Sequence, residues 1–242
     1  MEDRSVVSKL GDDKTLYAVF DGHGGDSIAE LCKVNCADVL KQCLLTTPHD
    51  VSIAIRECFD ILDQLAEKTN QVTTGCTAVL CLVAQDRLWF ANAGDSMTMV
   101  CFKNGQTELV SFEHKVEMEK ERIRDAGALV TYWDGTARIN GMLNVARGIG
   151  DFALKKYVPS TPFIRSINRK ISDFEYILIA SDGIWDVYTV ESLHNDFQNF
   201  IRDNSRDNDR KVAIQMALTE IIRSAAMKGS TDNITIVYVD QT

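Results

Sequence analysis

Three prolines in 242 residues, and no Gly/Ser-rich, repetitive or single-sign stretch, leave this sequence without the composition of a linker or a repeat array. One domain spanning 1–242 is therefore expected. A basic stripe is also lacking. The chain carries 26 Lys and Arg against 35 Asp and Glu, for a net charge of −9. That balance argues against nucleic acid as a partner, since displacing phosphate counterions needs clustered cations, and it suits the binding of metal ions. No apolar run reaches membrane-spanning length, and the first residues, Met1 to Val7, have neither the charged nor the apolar region of a signal peptide. No membrane association is expected, and the location is expected to be cytoplasmic or nuclear.

Cysteine occurs seven times, but with no C-x-x-C pair and no histidine pair at zinc-finger spacing. Cys32, Cys36, Cys43, Cys58, Cys76, Cys81 and Cys101 fall mostly at apolar positions, where a thiol behaves as a small hydrophobe. Reduced core cysteines are expected, not a disulfide framework. Helical periodicity runs through Ile28, Leu31, Cys32, Cys36, Val39, Leu40 and Cys43, and again through Val51, Ile55, Cys58, Phe59, Leu62 and Leu65, with a break near Thr47 and Pro48. The same spacing predicts a long helix over Asp209 to Met227 and shorter ones near Glu117 to Ala126 and Val190 to Ile201. Strands are predicted at Thr15 to Phe20, Thr77 to Val83, Leu88 to Ala91, Thr98 to Phe102, Tyr176 to Ala180 and Ile234 to Val239. Short links at Gln85-Asp86-Arg87 and Asn104-Gly105 suit hairpins, so antiparallel sheets covered by helices, an α+β arrangement, are expected.

Acidic residues sit where these apolar strands end. LYAVF ends in Asp21-Gly22, LWFANA in Gly94-Asp95 and YILIAS in Asp182-Gly183, while Asp232-Asn233 precedes the last strand. Taken singly, each Asp-Gly pair reads as a turn. Four carboxylates converging on one rim would instead form an oxygen-only ligand set, which selects hard cations such as Mg²⁺ or Mn²⁺ with water completing the octahedron. Glycine lets the backbone come close to an ion, so the Gly22 carbonyl is a candidate ligand.

The order of these motifs is more specific than any one of them. MED at Met1 to Asp3, YAVFDGHGG at Tyr17 to Gly25, GCTAV at Gly75 to Val79 and ANAGDS at Ala91 to Ser96 resemble segments of the metal-dependent protein phosphatases, the PPM or type 2C family. EKERIRDAG at Glu119 to Gly127, NGMLNVARGIGD at Asn140 to Asp151, IASDGIWDV at Ile179 to Val187 and GSTDNITIV at Gly229 to Val237 follow in the same order. The resemblance covers nearly the whole chain. It implies a four-layer α-β-β-α sandwich and a binuclear Mg²⁺ or Mn²⁺ centre that hydrolyses phosphoserine and phosphothreonine in phosphoprotein substrates. Carried onto matching positions, Asp21 bridges both ions, Glu2 and the Gly22 carbonyl bind one, and Asp182 and Asp232 bind the other. Asp3 orients bound water, Asp95 joins Asp182 in a third, weaker site, and Asp186 and Asn233 stand behind these. Two such cations about 4 Å apart acidify a water between them and stabilise charge on the attacking and leaving oxygens. His23 is then placed as the acid for the leaving oxygen.

Several positions depart from the family pattern or carry a plainer expectation. The arginine that normally lies four residues before the Glu2 position has no counterpart here. That implies a domain trimmed at its N-terminus or weakened phosphate capture, and Arg4 is not a substitute. An incomplete first strand would leave an open sheet edge, so a monomer is expected with association through that edge as the alternative. Met97, Cys76 and Val116 replace residues usual in the family. His114 and Arg147 are expected to be structural, and His49 and His194 to lie at the surface. A pseudophosphatase serving as a binding module is the competing reading; lost metal carboxylates would mark it, and all of them are present. A phosphatase with a nucleophilic aspartate would need a D-x-D motif, which Asp21-Gly22-His23 does not supply.

Overall fold

The computed structural model describes residues 1–168, 170–205 and 208–240. In chain order its elements are β1 (Arg4–Lys9), β2 (Thr15–Phe20), β3 (Gly22–His23), α1 (Ser27–Thr46), α2 (Val51–Glu67), β4 (Gly75–Cys76), β5 (Ala78–Val83), β6 (Leu88–Ala93), β7 (Met97–Phe102) and β8 (Thr107–Leu109). There follow α3 (Lys120–Asp125), β9 (Val130–Trp133), β10 (Thr136–Ile139), β11 (Ile149–Gly150), β12 (Phe163–Ile167), β13 (Phe174–Ala180), α4 (Asp182–Trp185), α5 (Val190–Asn204), α6 (Arg210–Met227) and β14 (Ile236–Val239).

Helix starts are written in local chemistry. The Asp50 carboxylate accepts from the Ser52 and Ile53 amides at the head of α2, Asp209 accepts from Val212 at the head of α6, and Thr189 with Ser192 forms a reciprocal cap on α5. Such caps are worth about 1 kcal/mol each because they satisfy amides that the helix itself leaves open.

Two antiparallel sheets, ordered β1-β2-β5-β6-β12 and β14-β13-β7-β8, pack face to face. Val19, Val79, Cys81 and Phe90 of the first meet Val100, Ile177, Ile179 and Val239 of the second. Outside the first sheet, Ile28, Cys32, Cys36 and Leu40 of α1 and Ile55, Phe59 and Leu62 of α2 cover Leu16, Ala18, Leu80 and Leu82. Outside the second, Leu193, Phe197, Ala217 and Ile221 of α5 and α6 cover Met99, Tyr176 and Leu178. Strands buried on both faces need no alternation, which is why Leu88–Ala93 reads as one apolar run and is buried at every position. Each fully buried side chain such as Phe90 contributes about 1.5–3 kcal/mol. The four layers are the sandwich the resemblance implied.

The periodic helices and both tight hairpins lie where the sequence pattern puts them; Asn104-Gly105 turns with Gly105 at φ +81. All seven cysteines are free and buried. β1 is an edge strand with alternating exposure, and Val7 on it is 62% exposed. The β9–β10 hairpin and β12 were not anticipated. The hairpin closes through Asp134 and Gly135, both at positive φ, and sits over a separate small cluster of Val116, Ile123, Ala137, Ile139, Leu154 and Val158. His194 corrects a surface reading, since its Nδ1 lies 2.7 Å from the Tyr176 hydroxyl and its ring stacks on that tyrosine. Arg147 is structural as expected, pairing with Glu119 at 2.7 Å and donating to the Thr161 carbonyl.

His114 is also structural. It is buried, with Nδ1 donating to the Gly94 carbonyl at 3.0 Å. Burial, then the charge of Arg147, pushes its pKa down to about 4. A depressed histidine gives stability that is complete above its ordinary value near 6.5 and is lost as pH falls from there toward 4, because only the unfolded chain takes up the proton. Denaturation midpoints measured from pH 7 to pH 4.5 should therefore fall less steeply for His114→Gln than for the parent, by on the order of 2–3 kcal/mol over that range. Parallel curves would contradict this assignment.

Candidate metal centre and active site

Strand register brings the acidic motifs together. Arg4 pairs with Phe20, so Glu2 and Asp3 lie beside Asp21 and Gly22 at one end of the first sheet. Val19 pairs with Val79 and Ala78 with Ala93, which carries the turn bearing Asp95 to the same end. In the second sheet Ala180 pairs with both Met97 and Ile236, so Asp182 emerges between Asp95 and Asp232. Four separate motifs thus share one rim because the two sheets end together there.

A polar clasp then locks the sheets across that rim. Ser181 Oγ donates to Asp3 Oδ2 at 2.8 Å and accepts from the Thr235 amide at 3.0 Å, while the Glu2 amide donates to Asn233 Oδ1. Gly183 permits the approach of the last motif, since a Cβ there would stand 2.3 Å from the Asn233 carbonyl oxygen.

The carboxylates crowd one another. Asp21 and Asp182 stand close enough for each to shift the ionisation of the other. Burial, then the charges of Asp182 and Asp3, drives the Asp21 carboxyl far above the carboxylate range. Burial and the Asp182 charge raise Asp95, and burial with the charges of Asp186 and Asp232 raises Asp182. Asp3 Oδ1, both oxygens of Asp95 and Asp182 Oδ1 are buried with no hydrogen-bond partner. Buried acceptors of this kind are costly unless a cation or water answers them. Among the described residues, no three His, Cys, Asp or Glu side chains close around a single point as a finished cage. Mg²⁺ does not need one, because it is commonly held by one or two carboxylates and keeps several waters. The donor set fits hard divalent ions.

His23 stands beside this cluster. Its Nε2 lies 2.8 and 2.9 Å from the two oxygens of Asp151, a residue 128 positions away held at φ 55. Burial alone would lower the imidazole pKa, but the hydrogen bond and charge of Asp151 outweigh it and the net shift is upward. Gly75 makes room for the pair: a Cβ there would fall 2.2 Å from Asp151 Oδ2 and 2.7 Å from His23 Nε2. Neither this pairing nor the Ser181 clasp was readable in the sequence. Lys115 was missed as well. It bridges Asp186 at 2.8 Å and Glu113 at 3.0 Å, and its charge tempers both Asp95 and Asp182. Arg4 is occupied, binding Asp26, Glu30 and the Met1 and Asp3 carbonyls, and is no phosphate clamp. Asp232 and Asp186 lie at the exposed margin.

Residues 1–234 match the family described as Protein phosphatase 2C. The chain belongs to this family. It is 37% identical over 233 residues to Probable protein phosphatase 2C 45 of Oryza sativa subsp. japonica, covering 93% of this chain and 76% of that protein. It is 36% identical to Probable protein phosphatase 2C 71 of Arabidopsis thaliana, covering 93% of this chain and 48% of that protein. Among solved structures, a C. elegans sex determining protein superposes with a TM-score of 0.86 at 26% identity, over 98% of this chain and 60% of that one. Serine-threonine phosphatase 2C from Toxoplasma gondii shares the fold, with a TM-score of 0.80 at 22% identity over 98% and 89% of the two chains. This protein phosphatase 2C is a protein serine/threonine phosphatase, in a family that generally depends on Mg²⁺ or Mn²⁺.

Repulsion within the carboxylate cluster makes a specific prediction for thermal unfolding. In chelator, Asp182→Asn should be at least as stable as the parent, because an amide can donate to Asp21 where a second carboxylate cannot. Adding Mn²⁺ should raise the parent's midpoint, by the equivalent of about 2.7 kcal/mol at a hundredfold excess over the dissociation constant, and should move the variant far less. Equal Mn²⁺ shifts in both proteins would contradict the ligand assignment.

Proposed function

We propose that this phosphatase hydrolyses phosphoserine and phosphothreonine esters by in-line attack of water, without a covalent enzyme intermediate. The observation that carries the proposal is the set of unanswered, buried carboxylate oxygens on Asp3, Asp95 and Asp182, gathered with Asp21 at the rim where the sheets end. Asp21 would hold two divalent ions, Glu2 and the Gly22 carbonyl would complete the first, and Asp182 and Asp232 the second. Asp95 offers two further acceptors beside Asp182, for ion-linked water or a third ion. When bound, such ions supply an acidified water and offset the charge that builds on the phosphoryl oxygens.

The chain's own groups do the rest. Asp3 has one oxygen fixed by Ser181, and its buried, unpartnered Oδ1 is left as an acceptor that would orient ion-linked water. His23 carries the leaving-group proton. With Nε2 engaged by Asp151, Nδ1 is the ring nitrogen left to donate, and the adjacent carboxylate favours the charged imidazolium. Lys115 keeps the rim from accumulating uncompensated charge.

Leaving-group dependence tests the histidine. Replacing His23 with Gln should cost about 10²-fold in kcat on a phosphothreonine peptide, and clearly less on p-nitrophenyl phosphate, whose phenolate needs little protonation to depart. Equal losses on both substrates would remove His23 from the acid role, and turnover unaffected by chelator would refute the ion-dependent reading.

A further inference from the structure

Asp151 reaches His23 from the end of β11, a strand of only two residues that pairs with the equally short β4. The backbone there is poorly disposed to stay in place by itself. Gly150 and Asp151 lie at φ +91 and +55, the left-handed region, which a residue with a Cβ occupies only where its surroundings hold it. Part of the hold comes from α2. Asp63 Oδ1 accepts from the Gly150 amide at 2.9 Å and from Lys155 Nζ at 2.5 Å, and Lys155 donates in turn to the Gly150 carbonyl at 3.1 Å and the Gly148 carbonyl at 3.3 Å. One carboxylate and one ammonium thus grip both polar groups of the residue before Asp151. Asp63 follows the buried Phe59 by one turn, so it stands on the inward face of α2, and its side chain is 14% exposed. An acid on an inward face needs partners. Among the described residues its hydrogen bonds go to Gly150 and Lys155, and to neither His23 nor Asp151.

We propose that Asp63, locked by Lys155, is a positioning residue for leaving-group protonation. By fixing the Gly150 peptide it holds the Asp151 carboxylate on His23 Nε2, and that hydrogen bond in turn settles the imidazole with Nδ1 free to donate. Asp63 touches no reacting atom; it acts through Gly150 and Asp151. Small displacements count here, since a proton donor works only within hydrogen-bond reach of the departing oxygen. Lys155 serves the lock in two ways. It neutralises a carboxylate whose charge burial disfavours, and its bonds to the Gly148 and Gly150 carbonyls keep that carboxylate facing the strand. This inference rests on His23 being the leaving-group acid, as proposed above.

The test runs steady-state kinetics with Mn²⁺ on Asp63→Ala, Asp63→Asn and Lys155→Met, using a phosphothreonine peptide and p-nitrophenyl phosphate. Asp63→Ala should lower kcat on the peptide about tenfold at nearly unchanged KM, and on p-nitrophenyl phosphate by less than about twofold. Asp63→Asn should recover most of the peptide rate, because its amide oxygen still accepts from Gly150, and Lys155→Met should fall between the two. In a His23→Gln background Asp63→Ala should cost less than about twofold more, since both changes remove the same proton transfer. Hydrogen exchange should quicken over residues 148–152 in Asp63→Ala while the inter-sheet strands stay protected. Equal losses on both substrates, losses that multiply in the double variant, or unchanged exchange over that segment would overturn the proposal. Should Asp63→Ala fail to fold, Lys155→Met decides by the same criteria. If His23→Gln itself slows both substrates equally, the acid reading falls and takes this inference with it. If His23→Gln discriminates between the substrates and Asp63→Ala does not, this inference falls alone.

Discussion

Negative charges gathered at one rim, tempered only in part by Lys115, define this molecule. Asp21, Asp182, Asp95 and Asp3 meet at the rim where two sheets end, and burial first, then neighbouring carboxylates, raise the carboxyl groups of the first three. Two unit charges about 4 Å apart repel by about 4 kcal/mol at the dielectric typical of such sites. A fold of ordinary stability, about 5–15 kcal/mol, tolerates only a few such contacts. The raised Asp21 carboxyl relieves part of that repulsion, and divalent cations bound there would relieve it more completely. In the proposed mechanism stability and catalysis draw on the same cluster.

Holding that cluster in place is the work of the sandwich. The inter-sheet layer around Phe90 and Ile177 fixes where the sheets stop, and strand register fixes which residues stand at the end. The clasp through Ser181, with Asn233 binding the Glu2 amide, ties the first strand's approach to the last strand's. Slippage by one residue in β1, β7 or β14 would turn the carboxylates away from the rim. The apparatus on the far side of His23 is looser in design. The hairpin of β9 and β10 has its own small cluster and carries the exposed Trp133 at its tip, so its sequence can vary without disturbing the acidic rim.

Much of this was legible in the residues. Apolar spacing located α1, α2 and α6, because each buries one face against a sheet, and β2 runs over the predicted Thr15–Phe20. The strand-end aspartates were visible because Asp-Gly after an apolar run breaks the strand where a ligand can sit. The β9–β10 hairpin escaped although Trp133-Asp134-Gly135-Thr136 contains a two-residue turn signal, since its exposed aromatic residues do not alternate as a half-buried strand should. The His23–Asp151 pair and the Lys115 bridge could not be read, because partners 128 and 71 residues apart leave no local periodicity.

Titration calorimetry with Mn²⁺ on the chelator-treated protein and on its Asp21→Asn variant bears most directly on whether opposed carboxylates exist here to trap cations. At least two ions should bind per parent chain, with proton release as the raised Asp21 carboxyl ionises, and the variant should lose stoichiometry. A parent that binds no Mn²⁺, or a variant that binds the same number of ions as the parent, would contradict it.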